Sequence, residues 1–171
     1  MVTLKTFIQR GKIIESSHET KCLVKNHDHR ILFSTGNSEE LIFPRSSIKI
    51  FQAIPFITSN AHKKFNLNNK CLAISCSSHC GEPKHIKVLE DWLKQTKISI
   101  NNLKCGTHNP INLQSSNNLL LKGKTPSQLH NNCAGKHLAM LTSCLFDNHS
   151  IANYLDFNHP HQKNIRKVFN K

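Results

Sequence analysis

The chain reads as one domain, residues 1–171, that mixes strands and helices. Three observations predict this. Short β-compatible runs crowd the first forty residues, helical periodicity governs much of the remaining chain, and a hydrophobic content of 37% is enough to build a core at this length. No internal repeat or linker divides it.

The elements come in order. Leu4–Gln9 and Lys21–Lys25 are short strand-like runs. Asn26-His27-Asp28-His29 has turn chemistry, and Arg30–Thr35 continues as the second arm of a hairpin. After Pro44, the spacing of Ile48, Phe51 and Ile54 predicts a helix opening at Ser46 and Ser47, with serine as N-cap and Pro55 near its end. Cys71–Cys76 is a small apolar run, either a buried strand or a helix start. Lys84–Lys97 carries an apolar stripe of Ile86, Leu89, Trp92 and Leu93, with Pro83 just inside its start, and reads as a helix. Asn101–Gln128 is rich in Gly, Pro, Asn and Ser and reads as loop. Asn132–Phe146 predicts another helix, and Gln162–Lys171 a basic amphipathic segment.

The formal net charge of +13 raises the question of a nucleic-acid partner. The charge comes from 19 Lys and only 4 Arg, whereas bidentate recognition of phosphates and bases favours Arg. With one Trp and one Tyr, stacking platforms are also few, so no nucleic-acid partner is expected. The odd number of cysteines, seven, does not suggest a disulfide scaffold. No signal-like N-terminus and no membrane-length apolar window is evident, so the expected location is the cytoplasm, away from membranes.

Four stretches concentrate reactive groups. Ser46-Ser47-Ile48-Lys49 is a Ser-x-x-Lys pattern, which on a helix sets hydroxyl and amine one turn apart so that a neutral lysine can take the serine proton. With so many serines and lysines present the spacing alone is weak, and an N-cap serine beside a solvated lysine is the plainer reading. Ser75–Glu82 gathers hydroxyls, thiols, an imidazole and a carboxylate at the end of an apolar run, where a polar turn is the plainer reading. Cys76-x-x-His79 and Cys105-x-x-His108 form a rival zinc pattern. In Asn131–His137, a helix would place Cys133, Lys136 and His137 at i, i+3 and i+4 on one face, three electron-pair donors together.

Taken in order, these stretches resemble the asparaginase II family, the Rhizobium etli type of L-asparaginase. The matching pieces are Gly11–His18, Pro44–Lys49 with Gln52, Ser77-Ser78-His79 with Glu82 and His85, Leu103–Pro110, and Asn131–Leu141. The resemblance runs from about Gly11 to the end and implies an α/β (α+β layered), serine β-lactamase-like core. It implies hydrolysis of L-asparagine to L-aspartate and ammonia, with Ser46 as nucleophile, Lys49 as its base and Ser78 as second catalytic serine. Arg45, His79, Glu82, Asn132 and His137 fall on the substrate-binding side. Cys133 and Lys136 fall on two zinc ligands of the family. Family members are longer, and the third zinc ligand and a later catalytic lysine lie downstream of Lys171. The expectation is therefore the N-terminal portion of an asparaginase II-like domain, truncated at its C-terminus, with an incomplete zinc set, partnered by a missing C-terminal fragment or by a second copy in a homodimer. An inactive remnant is the alternative, and a basic zinc or nucleic-acid-binding module the next.

Overall fold

A computed structural model describes residues 3–169. It is mixed, with 46% helix and 14% strand. The chain divides into two compact units, Met1–Phe43 and Pro44–Lys171.

The first unit is two antiparallel hairpins. Strand β1 (Leu4–Arg10) pairs with β2 (Ile13–Thr20) across Gly11-Lys12, with a bulge after Ile8. Strand β2 was not foreseen: its Glu-Ser-Ser-His interior lacks an apolar alternation. Strand β3 (Cys22–Lys25) pairs with β4 (Ile31–Thr35). The Asn26 side chain closes that turn by accepting from the backbone N–H of Asp28 and Arg30. Buried Thr35 ties the strand ends, accepting from Cys22 N–H at 2.9 Å and donating to the Thr20 carbonyl at 2.8 Å.

The second unit holds the core. A 3-10 turn at Arg45–Ile48 leads into α1 (Lys49–Thr58), followed by α2 (Ala61–Lys64), α3 (Asn69–Ser75), α4 (Pro83–Thr96), α5 (Leu113–Leu121), α6 (Ala134–Phe146) and α7 (Pro160–Phe169). Helix α6 is the hub, packing against α1, α2, α3, α4 and α7. Ten of its residues are buried, so no polar face remains to advertise a helix at a surface. Phe56 of α1 stacks on Trp92 of α4 at 5.4 Å, and the Trp92 indole donates to Thr142 of α6 at 2.9 Å. Gly135 lets α3 and α6 meet, because a Cβ there would collide with the Ile74 carbonyl.

Four expectations change. Neither Ser46 nor Ser47 caps α1: the Ser47 hydroxyl turns back to the Pro44 carbonyl, and the tight turn makes its own backbone bonds. Of the two readings of Cys71–Cys76 the helix holds and the strand falls: Cys71–Ser75 lie in α3, capped by Asn68, and Cys76 is its C-cap. The Asn101–Gln128 stretch contains α5, capped by Asn112, whose side chain accepts from Ser115 N–H at 2.8 Å. Cys133 precedes α6 as its N-cap residue, at φ −102° and ψ 1°, so it is not a full member of a helical face. Asn170 and Lys171, the end of the expected basic segment, lie outside the described residues.

Candidate active site

Lys49 is the centre of the site. It opens α1 and is 2% exposed, an unusual place for a lysine without partners. Its ammonium donates to the Ser78 hydroxyl at 2.8 Å, the Ser77 carbonyl at 3.2 Å and the Asn132 carbonyl at 3.3 Å. Three N–H groups meet three acceptors, which satisfies the buried group. Two of the sequence stretches, Ser75–Glu82 and Asn131–His137, thus converge on one side chain. If the amine loses a proton, the same 2.8 Å contact lets Ser78 O–H donate to nitrogen. Lys49 and Ser78 are thus within direct proton-transfer distance of each other.

Ser46 sits three residues before Lys49 in the 3-10 turn, where side chains at i and i+3 eclipse. It is exposed, and among the described residues its hydroxyl makes no hydrogen bond with Lys49. Arg45, next to it, has φ +52°. The left-handed region is uncommon for a residue with a Cβ and costs about 1–3 kcal/mol, a strain found most often where a side chain must be aimed.

The turn after α3 carries Ser78, His79 and Glu82. Gly81 fixes its shape, with φ +73° and a would-be Cβ 2.9 Å from the Pro110 ring, so any side chain is both strained and blocked. His79 is buried, and its Nδ1 accepts from Gly81 N–H at 3.2 Å. Burial, then the charges of His85, Lys49 and His108, push its pKa down to about 4, so it is neutral near pH 7. Its Nε2 has no partner among the described residues. Glu82 is the N-cap residue of α4, its carboxylate 3.1 Å from Lys84 and its N–H donating to His85.

The third wall is the start of α6. Asn131, which the sequence motifs did not single out for a role, joins it to the Cys105–Pro110 loop. Its amide donates to the Cys105 carbonyl at 2.7 Å, and its side-chain oxygen accepts from Cys133 N–H at 2.8 Å. His108 does the same for Asn132, whose N–H donates to its Nε2 at 3.0 Å, while Nδ1 lies 2.7 Å from the Asn109 carbonyl. That fixes the tautomer with the proton on Nδ1. The repeated Asn-Asn and the Cys-x-x-His spacing were visible in the sequence, but not that they bridge a loop to a helix start.

His137 is buried on α6, and its Nδ1 lies 2.6 Å from the Tyr154 hydroxyl. That oxygen already accepts from Lys104 N–H at 2.9 Å, so its single proton goes to His137. Nδ1 is then an acceptor and Nε2 carries the hydrogen. Burial, then the nearby Lys136 and Lys49 charges, push the His137 pKa down to about 4. Burial raises Tyr154 to about 12, which keeps the phenol protonated for this role. Tyr154, far along the chain in an irregular segment, carried no motif.

These contacts also test the metal expectation. Cys133 and Lys136 flank Cys105, whose thiol burial pushes up to about 11, with Cys133 adding to the rise and Lys136 opposing it. Among the described residues no group of three His, Cys, Asp or Glu is arranged for a metal ion. Both His108 nitrogens and His137 Nδ1 are engaged in hydrogen bonds. Cys133 and Lys136 are two donors, fewer than the three protein ligands of a catalytic zinc site.

Residues 7–171 match the family model for L-asparaginase II. The chain belongs to the L-asparaginase II family. No curated protein matches it. Membership points to an asparaginase-type hydrolase and to asparagine as its substrate class. No helix among the described residues is long and apolar enough to cross a membrane. Within this family frame, Ser46, Lys49 and Ser78, expected as the catalytic set, belong to one unit. The structure brings Lys49 and Ser78 together and leaves Ser46 on the exposed rim.

Proposed function

We propose that the chain hydrolyses the side-chain amide of L-asparagine to L-aspartate and ammonia through a Ser/Lys site. The observation that carries the reading is buried Lys49 held 2.8 Å from the Ser78 hydroxyl. Family membership supports the substrate. The Ser-x-x-Lys opening of α1 beside a second serine is in keeping with a serine β-lactamase-like core.

In this reading Ser46 attacks the amide carbonyl. Its proton passes to Ser78 oxygen as the Ser78 proton passes to Lys49 in its amine form. The carbon–nitrogen bond then breaks, and Lys49 returns the proton to the leaving ammonia. Water resolves the ester by the same relay run in reverse, freeing aspartate and Ser46. Arg45 offers a planar fork to the α-carboxylate, and Glu82 an acceptor to the α-ammonium. His79 and His137, both neutral at pH 7, and the Asn132 side-chain amide complete substrate recognition.

A second reading has one observation in its favour: Lys49 touches Ser78 and not Ser46, which makes Ser78 the nucleophile. Ammonia release and mass spectrometry of the trapped acyl-enzyme separate the two. Lys49→Met is expected to lower kcat by about 10²–10⁴ in either case. The acyl group is expected on the peptide containing Ser46, and Ser46→Ala is expected to abolish trapping. Acylation of Ser78 that survives Ser46→Ala would install the second reading. Unchanged ammonia release in both serine variants sinks both.

A further inference from the structure

We propose that the cleft between α4 and α5 is a binding site for a small organic phosphate. The cleft holds about 400 Å³, within the range of small-molecule sites. Its wall has two chemistries. Pro83, Ile86 and Leu119 form an apolar side, and Lys87, Lys122 and Lys124 a cationic one, against a single carboxylate, Glu90.

The lysines differ in availability. Lys87 is engaged by Asp91 at 2.9 Å. Among the described residues, Lys122 and Lys124 have no carboxylate within ion-pair distance. They lie two residues apart, just after α5, and together match a dianion. The wider field agrees. Residues 1–43 carry six Lys and Arg against five Asp and Glu, so nearly all of the net +13 falls on the unit that contains the cleft.

Uncharged donors point the same way. Ser115 is 9% exposed and lines the cleft. Its backbone N–H is taken by Asn112, but its hydroxyl has no partner among the described residues. That hydroxyl is open to the cleft, where it can donate to a bound anion. His130 Nδ1 accepts from Ser127 N–H at 3.0 Å, which leaves its Nε2–H to donate. Gly81, on the turn that carries Ser78 and His79, also lines the cleft. An organic phosphate places its anion on Lys122 and Lys124 and its apolar body on Pro83, Ile86 and Leu119. No residue of the proposed Ser/Lys chemistry takes part.

Isothermal titration of the full chain with adenosine monophosphate tests this, with inorganic phosphate and adenosine as separate arms. One-to-one saturation by the nucleotide is expected, with each half binding at least about tenfold more weakly. Lys122→Ala/Lys124→Ala is expected to cut the nucleotide affinity at least about tenfold with an unchanged melting temperature. Asn118→Trp, which fills the cleft from an exposed position, is expected to abolish binding. The proposal is overturned if the nucleotide gives no saturable heat, if phosphate alone binds as tightly, or if neither variant weakens binding. Asparaginase activity enters none of these readouts, so failure of the catalytic reading leaves the result intact.

Discussion

The hairpin unit and the helical unit solve the problem of staying folded in opposite ways. Residues 3–43 bury no large apolar side chain, and the residues of β1 are exposed on both faces. What orders them is backbone pairing, the two turns and the Thr35 tie. From Pro44 onward the hydrophobic core is continuous, from Phe56 through Trp92 to Leu138, Leu141 and Ile165. Every candidate catalytic and substrate-binding residue lies in that second unit. The contrast has a chemical basis: a buried lysine and two buried neutral histidines require surroundings that exclude water and supply fixed partners. An exposed pair of hairpins offers neither.

The sharpest way to press this contrast is to remove core volume. Leu138 of α6 is fully buried, one residue after His137. Leu138→Ala is expected to cost about 2–5 kcal/mol, read from urea unfolding followed by Trp92 fluorescence. Trp92 is the only tryptophan and is itself in the core, so the signal reports the helical unit. A loss under about 1 kcal/mol would mean that α6 is not the hub.

A smaller effect should come from acid. His79, His137 and His161 are buried, and burial leads the causes that hold each pKa near 4. The unfolded histidine takes its proton near pH 6.5, well before the folded one. The folded value is the lower, so the stability is fully present above pH 6.5 and is lost as pH falls toward 4. Each histidine contributes a slope of up to about 1.4 kcal/mol per pH unit across that window. The Trp92-monitored midpoint should therefore drop between pH 6.5 and 4.5. A flat profile there would show that these rings are hydrated or already charged. The hairpin unit buries none of its histidines.

How much of this was legible in the sequence depended on whether a signal was local. Helix α4 was, because Pro83 and the Ile86, Leu89, Trp92, Leu93 stripe are neighbours in the chain. The Ser46, Lys49, Ser78, Cys133 and Lys136 positions stood out only as ordered motifs. That order led to the family, not to the hydrogen bonds. Lys49 bonding to Ser78 and to the Asn132 carbonyl spans 29 and 83 residues, which no window of sequence contains. Tyr154 and Asn131 were missed for the same reason. Helix α5 was missed for another: its Ser-Ser-Asn-Asn centre favours turns, and the helix forms under an Asn112 cap. Cys133 was placed on a helical face because spacing alone cannot say where a helix begins.

The smallest effect belongs to the hairpins, and it decides whether the contrast between the two units holds in solution. Leu32 lies in β4, at the irregularity between the Val24–Phe33 and Lys25–Ile31 pairs, and is 66% exposed. A side chain already in water loses little by becoming polar, so Leu32→Ser should change stability by no more than about 0.5 kcal/mol. Serine has a lower strand preference than leucine on a pleated surface, and that difference sets the sign as slightly destabilising. Calorimetry of the full chain, with sedimentation of both proteins at matched concentration, supplies the check. A cost above about 1 kcal/mol, or a change in sedimentation, would mean that the strands cover their apolar residues against another surface in solution. The hairpins would then depend on burial as the helices do, and the two units would differ in where their partner surface comes from and not in kind.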